Sequence, residues 1–203
     1  MHPDFLNYAL VFDSFDIEFI VDTALSSELT YRFNENARDF LFVAGAIWIA
    51  TPLTRELVLP VLRPLNFLRC LENIRASLVA PPAPVGLEKI MQRGGWKTWI
   101  DGYSERAGLA ATSAEDETIV DLLLSMSAIS GSRGRIVTYC YEDSPVIDVM
   151  THGEDDVPGN VFSEKYDPEK AVHQIDRINE RMTIEVSEIV QSLLSSWRGN
   201  ENG

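Results

Sequence analysis

The chain has 203 residues, 45% of them hydrophobic and 24% charged, a composition that fits one ordinary globular domain and excludes a disordered chain. Its net charge of −14 is uneven: residues 1–39 carry 8 acids and 2 bases, 40–111 carry 5 and 8, and 112–203 carry 18 and 7, so the blocks stand at −6, +3 and −11. Such a field repels nucleic acid and acidic membranes and speeds encounter with a basic partner.

Residues 8–22 alternate, with Phe15, Ile17, Phe19 and Val21 on one face and Ser14, Asp16, Glu18 and Asp22 mainly on the other. Period two with aromatic and β-branched residues predicts a half-buried strand. Leu29 to Phe33 reads as a second short strand. Phe40 to Thr54 is the most apolar run, fifteen residues without a charge, but it is too short to span a bilayer and is interrupted by Gly45 and Pro52. Within it, Phe40 to Ala50 reads as a strand pair turning at Gly45 or as a buried helix, with Val43, Ile47, Trp48 and Ile49 favouring strand.

From Thr51 the pattern turns helical, with Thr51 as N-cap, Pro52 in the first turn, and breaks at Pro60 and Pro64. Leu65 to Val79 predicts a helix with Leu68, Leu71, Ile74, Leu78 and Val79 on its apolar side. Pro81, Pro82 and Pro84 form a stiff connector. Glu88 to Arg106 is helical with a break at Gly94-Gly95. Ser113, with Asp116 three residues on, starts a helix apolar nearly all round and therefore buried. Arg135–Tyr141 and Val146–Thr151 form a hairpin about Glu142 to Pro145. Asp167 caps a last helix, Pro168 opens it and Gly199 ends it, with apolar residues at Val172, Ile175, Ile178, Met182, Val186, Ile189, Leu193 and Trp197.

The expected fold is one α+β domain over residues 1–203. An antiparallel sheet, built from the N-terminal strands and the 135–151 hairpin, carries helices packed on one face, including the long C-terminal amphipathic helix.

Few residues suggest chemistry. His152, Glu154, Asp155 and Asp156 gather donors for a cation or a general base, but the calcium-loop spacing is missing, so they read as an acidic loop suited to a partner. Asp13, Asp16, Glu18 and Asp22 suggest a nuclease-like cluster, yet Ile20 stands where a lysine is wanted, and the solvent face of a sheet is the simpler reading. Trp96, Trp99 and Tyr103 recur at helical spacing among Arg93, Lys97 and Arg106. They read as a core stripe, with an aromatic anchor for a partner as the alternative. Ser130 to Arg135 lacks the strand–loop–helix order of a phosphate loop and reads as a helix-to-strand connection. His2, His152 and His173 have no recognisable catalytic partner, and no Gly-x-Ser-x-Gly elbow occurs. Cys70 and Cys140 fit no metal or redox spacing and read as reduced, buried thiols. No cofactor or metal is expected, and no signal peptide is read at the N-terminus.

The layout resembles small acidic bacterial proteins found with polymorphic toxins, some of which act as immunity proteins. The likeness rests on the N-terminal strand segment Phe12 to Phe19, a helical middle, the Arg135–Thr151 hairpin and the closing helix. It carries over no functional residue. The block charge together with the missing chemistry predicts a non-enzymatic protein that binds a basic protein partner such as a toxin, and the two reduced thiols predict a cytoplasmic one. The expected function is that of an acidic immunity or inhibitor protein masking a basic surface. Glu142, Asp143, Glu154, Asp155 and Asp156 would face the partner. The alternatives are a hydrolase or nucleotide-processing enzyme using dispersed acids, and a structural subunit self-associating through the C-terminal helix.

Overall fold

A computed structural model describes residues 5–22, 44–61, 64–107, 113–131, 133–151 and 159–200. Among the described residues, two four-stranded antiparallel meanders and five helices make an α+β fold. The first sheet is β1 (Phe5–Val11), β2 (Asp16–Asp22), β3 (Ala44–Ala50) and β4 (Arg55–Val61), paired in that order. Helices α1 (Pro64–Val79), α2 (Leu87–Gln92), α3 (Gly95–Ala107) and α4 (Ala114–Met126) follow. The second sheet is β5 (Ser127–Gly131), β6 (Gly134–Tyr141), β7 (Ser144–Thr151) and β8 (Val161–Lys165), and α5 (Pro168–Asn200) closes the chain. Among the described residues no helix is long and apolar enough to cross a membrane.

The predicted strand at 8–22 is a hairpin, because Phe12 N–H bonds the Phe15 carbonyl at 3.0 Å and turns the chain. The alternation holds on β2, where Ile17, Phe19 and Val21 are buried. Gly45 is not a turn. It sits inside β3, where the Phe67 ring and the Ile20 carbonyl occupy the space a Cβ would need, at 2.4 and 2.3 Å.

The helix expected after Thr51 is absent. The Thr51 hydroxyl does accept from the Thr54 and Leu53 amides at 3.0 and 3.3 Å, as an N-cap would. Here, however, Thr51 N–H also bonds the Thr54 carbonyl at 2.8 Å, and the chain returns as β4. Pro60, opposite Ala46, is tolerated because β4 is an edge strand of its sheet and a missing N–H breaks no outer ladder. The strand expected at Leu29–Phe33 lies outside the described residues.

In place of one sheet there are two, and small residues let them meet. A Cβ on Gly131 would lie 2.5 Å from the Leu59 side chain, and one on Gly134 3.1 Å from Val58, so β4 passes close over the β5–β6 turn. Glu56 of β4 accepts hydrogen bonds from the Thr151 hydroxyl and, at 2.7 Å, from the Asn160 amide. The Glu164 carboxylate of β8 accepts the amides of Asp13 and Ser14 at 2.8 and 2.9 Å, which pins the β1–β2 turn to the second sheet.

One core runs through both sheets. Leu10, Phe19 and Ile47 from the first and Ile136, Ile147 and Val149 from the second meet α1 through Leu71 and Ile74 and α5 through Ile175 and Met182. The opposite face of the second sheet, through Val137, Tyr139 and Met150, packs on α2 to α4. The second sheet thus has helices on both faces, not on one. This is why its strands read as nearly continuous apolar runs.

The predicted Leu65–Val79 helix is α1, and the Gly94-Gly95 break separates α2 from α3 with φ of 100° and 82°, a conformation that favours glycine. At α4 the Ser113 hydroxyl accepts the Asp116 amide at 3.1 Å and the Asp116 carboxylate accepts back from Ser113 N–H at 3.3 Å, the reciprocal cap its sequence implies. That helix is not buried all round, since Leu124 is half exposed. Two short strands, β5 and β8, went unread in the sequence. Ser130 to Arg135 therefore belongs to a hairpin and not to a helix-to-strand connection. Helix α5 runs through Gly199 to Asn200.

Candidate functional site

The β6–β7 hairpin is the best-placed display of charge. Tyr141 pairs with Ser144, leaving Glu142 and Asp143 as a two-residue turn rather than the four-residue turn expected. Both have positive φ, 48° and 58°, as the mirror-image turns that suit the twist of a hairpin require. Glycine, asparagine and aspartate take this conformation readily, whereas Glu142 is held there at a cost of about 1–2 kcal/mol. Both side chains are exposed. The connector before α2 lies along the same end of the sheet, where the Cys140 amide bonds the Pro82 carbonyl at 2.7 Å. It brings Glu88 toward the turn. Desolvation first, and then the charges of Glu142 and Glu88, raise the pKa of the Tyr141 phenol between them.

Glu154, Asp155, Asp156 and His152 lie outside the described residues. Of the N-terminal acids, Glu18 forms an ion pair with Arg55 at 2.7 Å, and Arg55 also lies 5.2 Å over the Trp48 ring. The Asp16 carboxyl is raised by partial burial and then by Glu18. These groups form a braced sheet surface. Among the described residues no three ligating side chains gather as a metal site would require.

The aromatic stripe is interior. Trp96 and Trp99 are 2% and 8% exposed, their rings meet edge to face at 6.1 Å, and Trp99 stacks on the half-buried Tyr103 at 5.1 Å. They fill the layer between α3 and the second sheet, so the first two cannot serve as a surface anchor. Trp99→Ala should cost about 3–5 kcal/mol in denaturant unfolding, as large aromatic truncations in cores do.

Sequence reasoning missed Asp148. It sits on β7 at 2% exposure and accepts hydrogen bonds from the Tyr139 hydroxyl at 2.8 Å and the Ser163 hydroxyl at 2.5 Å. Burial pushes its carboxyl up to about 6, while the bonds from Ser163 and Tyr139 pull the other way. A proton-holding carboxyl often marks a catalytic site. At this depth it is closed to substrate and ties three strands together. The interruption of an apolar strand by one acid was its only sequence signal.

Cys70 and Cys140 are free thiols, partly buried, and burial raises the Cys70 thiol above its ordinary value. His173 is exposed on α5, beside Asp176, whose carboxylate binds Arg75 of α1 at 2.5 Å. Compared with protein-family models, curated proteins and solved structures, the chain matches none of them.

Proposed function

We propose that this is a non-enzymatic acidic binding protein, of the immunity or inhibitor type, that masks a basic surface of a partner protein. The observation that carries the reading is the Glu142-Asp143 turn. Two exposed carboxylates occupy backbone positions that Asn-Gly would fill at lower energy, on the tip of a hairpin whose strands are mostly buried. Aspartate suits such a position by itself, but a sequence kept for stability alone has no reason to hold glutamate beside it, whereas one that must present charge rigidly does. Glu88 beside the turn and the −11 charge of residues 112–203 extend the same field.

The turn supplies a test that separates stability from binding. Glu142→Asn with Asp143→Gly should raise stability by about 1 kcal/mol, or about 2–4 °C in Tm, by relieving the turn. With a co-purifying basic partner the same pair should bind more weakly. Lysines at Glu142, Asp143, Glu154, Asp155 and Asp156 together should slow association at least about tenfold at low salt, an effect that fades as salt is added. Association indifferent both to salt and to these charge reversals would overturn the reading.

Self-association through α5 is a second reading, and one feature favours it. The helix continues from Met182, the last core residue among those described, to Asn200, 18 residues on, and Ile184 on that stretch is 54% exposed. A concentration-dependent mass in sedimentation would support it, and a monomer at all concentrations would exclude it.

A further inference from the structure

Strand β8 is a crosspiece between the two sheets, and it is also the one strand of its own sheet with no fully buried residue. Glu164 on it holds the amides of Asp13 and Ser14 in the β1–β2 turn, and Asn160 just before it donates to Glu56 of β4. Its own attachment to β7 is bounded by two bonds, Thr151 N–H to the Asn160 carbonyl at 2.9 Å and Tyr166 N–H to the Pro145 carbonyl at 3.1 Å. Antiparallel alternation between them turns the amides of Phe162 and Glu164 toward β7. Those of Val161, Ser163 and Lys165 face outward from the sheet edge. A five-residue edge strand of low burial is where local opening begins.

One buried group fastens the strand. Asp148 of β7 stands opposite Ser163 and accepts its hydroxyl at 2.5 Å, with the Tyr139 hydroxyl of β6 on the other side at 2.8 Å. Ser163 is exposed while Asp148 is 2% exposed, so β8 forms the outer wall of the carboxyl's site. The elements around it bring no cation to the carboxyl. On the same sheet face Arg135 of β6 bonds Ser130, and Lys165 of β8 is exposed. Lys97 and Asp101 of α3 pair with each other at 3.1 Å, Asp116 of α4 is held in the Ser113 cap, and α2 turns Leu87 and Ile90 inward. Burial, Ser163 and Tyr139 set the ionisation of Asp148. A carboxyl enclosed with hydroxyl donors alone favours its protonated form, and opening β8 lets water reach it and favours the ionised one. The two equilibria are therefore linked. We propose that Asp148 makes β8 a pH-sensitive latch: protonated, it keeps the strand shut, and as the proton leaves, β8 opens to a larger fraction and lets go of the β1–β2 turn.

The test is amide hydrogen exchange on the full chain at pH 5 and pH 7, read by NMR and corrected for the intrinsic pH dependence of exchange. With the closed carboxyl at about 6 and the hydrated one at its ordinary 3.8, the open fraction of β8 should rise about tenfold between these pH values. The amides of Phe162 and Glu164 report it directly, and those of Asp13 and Ser14, which Glu164 holds, should rise with them. The amides of Val137 and Tyr139, on the β6–β7 ladder, are the reference for opening of the whole fold and should be about tenfold or more better protected. Asp148→Asn, neutral at both pH values, should lose most of the rise. Ser163→Ala removes a bond that favours the ionised carboxylate, so it should increase opening more at pH 7 than at pH 5, and it keeps the test available if the first variant fails to fold. Equal protection at β8 and at Val137 and Tyr139 would mean that β8 leaves only when the fold does, and would overturn the latch. A rise of the same size in Asp148→Asn would overturn it by placing the titrating group elsewhere. Opening of β8 that Asp13 and Ser14 do not follow would overturn the link to the first sheet.

Discussion

Replacing Ile178 with aspartate should destabilise the fold by about 4 kcal/mol or more, enough to lower Tm by about 10–15 °C. Ile178 is 7% exposed and lies in the core that joins the two sheets to α1 and α5. On either side of it the helix is fastened, by Asp176 to Arg75 of α1 and by Glu185 to the Tyr8 hydroxyl of β1. The aspartate therefore cannot reach water by a small shift of the helix. It must carry a charge, or a proton it would rather lose, into apolar surroundings. Ile184→Asp is the matched control, since it makes the same chemical change on the same helix at 54% exposure. It should cost under about 0.5 kcal/mol beyond the shared effect on helix propensity. Equal losses at the two sites, read by urea denaturation, would mean that α5 does not pack by this face.

The stripe through Ile175, Ile178 and Met182 was legible because a long helix averages its signal over many turns, and each of these three residues is buried. The Ser113 cap was legible for a different reason, since its chemistry lies wholly within four residues. Thr51 shows the limit of that second kind of signal. A threonine hydroxyl that accepts amides two and three residues on begins a helix or closes a tight turn equally well. The choice was made by Leu57 and Leu59, which pair with Trp48 and Ile47 across β3. Such pairing across a hairpin has no mark within the turn itself. The same holds for the split into two sheets. It depends on β4 passing over Gly131 and Gly134, more than 70 residues away in the chain, and a glycine in sequence does not say which backbone will approach it.

The candidate site was partly legible on the same terms. Glu142-Asp143 lies between two nearly continuous apolar runs, so a turn there followed from its flanks, although its two-residue length and left-handed backbone did not. Helix α4 marks a limit of composition as a signal: an apolar sequence all round predicts burial all round, yet Leu124 is half exposed.

The same hidden pairing governs Asp148, whose partner Ser163 comes from β8. Asp148→Asn should change the pH dependence of stability more than any surface substitution. In the folded chain the carboxyl is pushed from an ordinary 3.8 up to about 6, chiefly by burial. The folded state thus keeps a proton that the unfolded chain has already released. Between about pH 4 and pH 6 folding takes up that proton, so this group's favourable contribution is full below about pH 4. It is lost as pH rises through about 6, and a shift of two units corresponds to about 3 kcal/mol. Asparagine is neutral at every pH. Its carbonyl oxygen can still accept from the Tyr139 hydroxyl, and its amide can donate to Ser163. The stability of Asp148→Asn relative to the unsubstituted protein should therefore rise by about 3 kcal/mol from pH 4 to pH 8, with most of the change falling between pH 4 and 6. Urea midpoints measured for both proteins across that range supply the comparison, and the contributions of all other acids cancel in the difference. Two parallel curves would mean that Asp148 is ionised in the folded state throughout. The bonds from Tyr139 and Ser163 would then outweigh the cost of burying its charge.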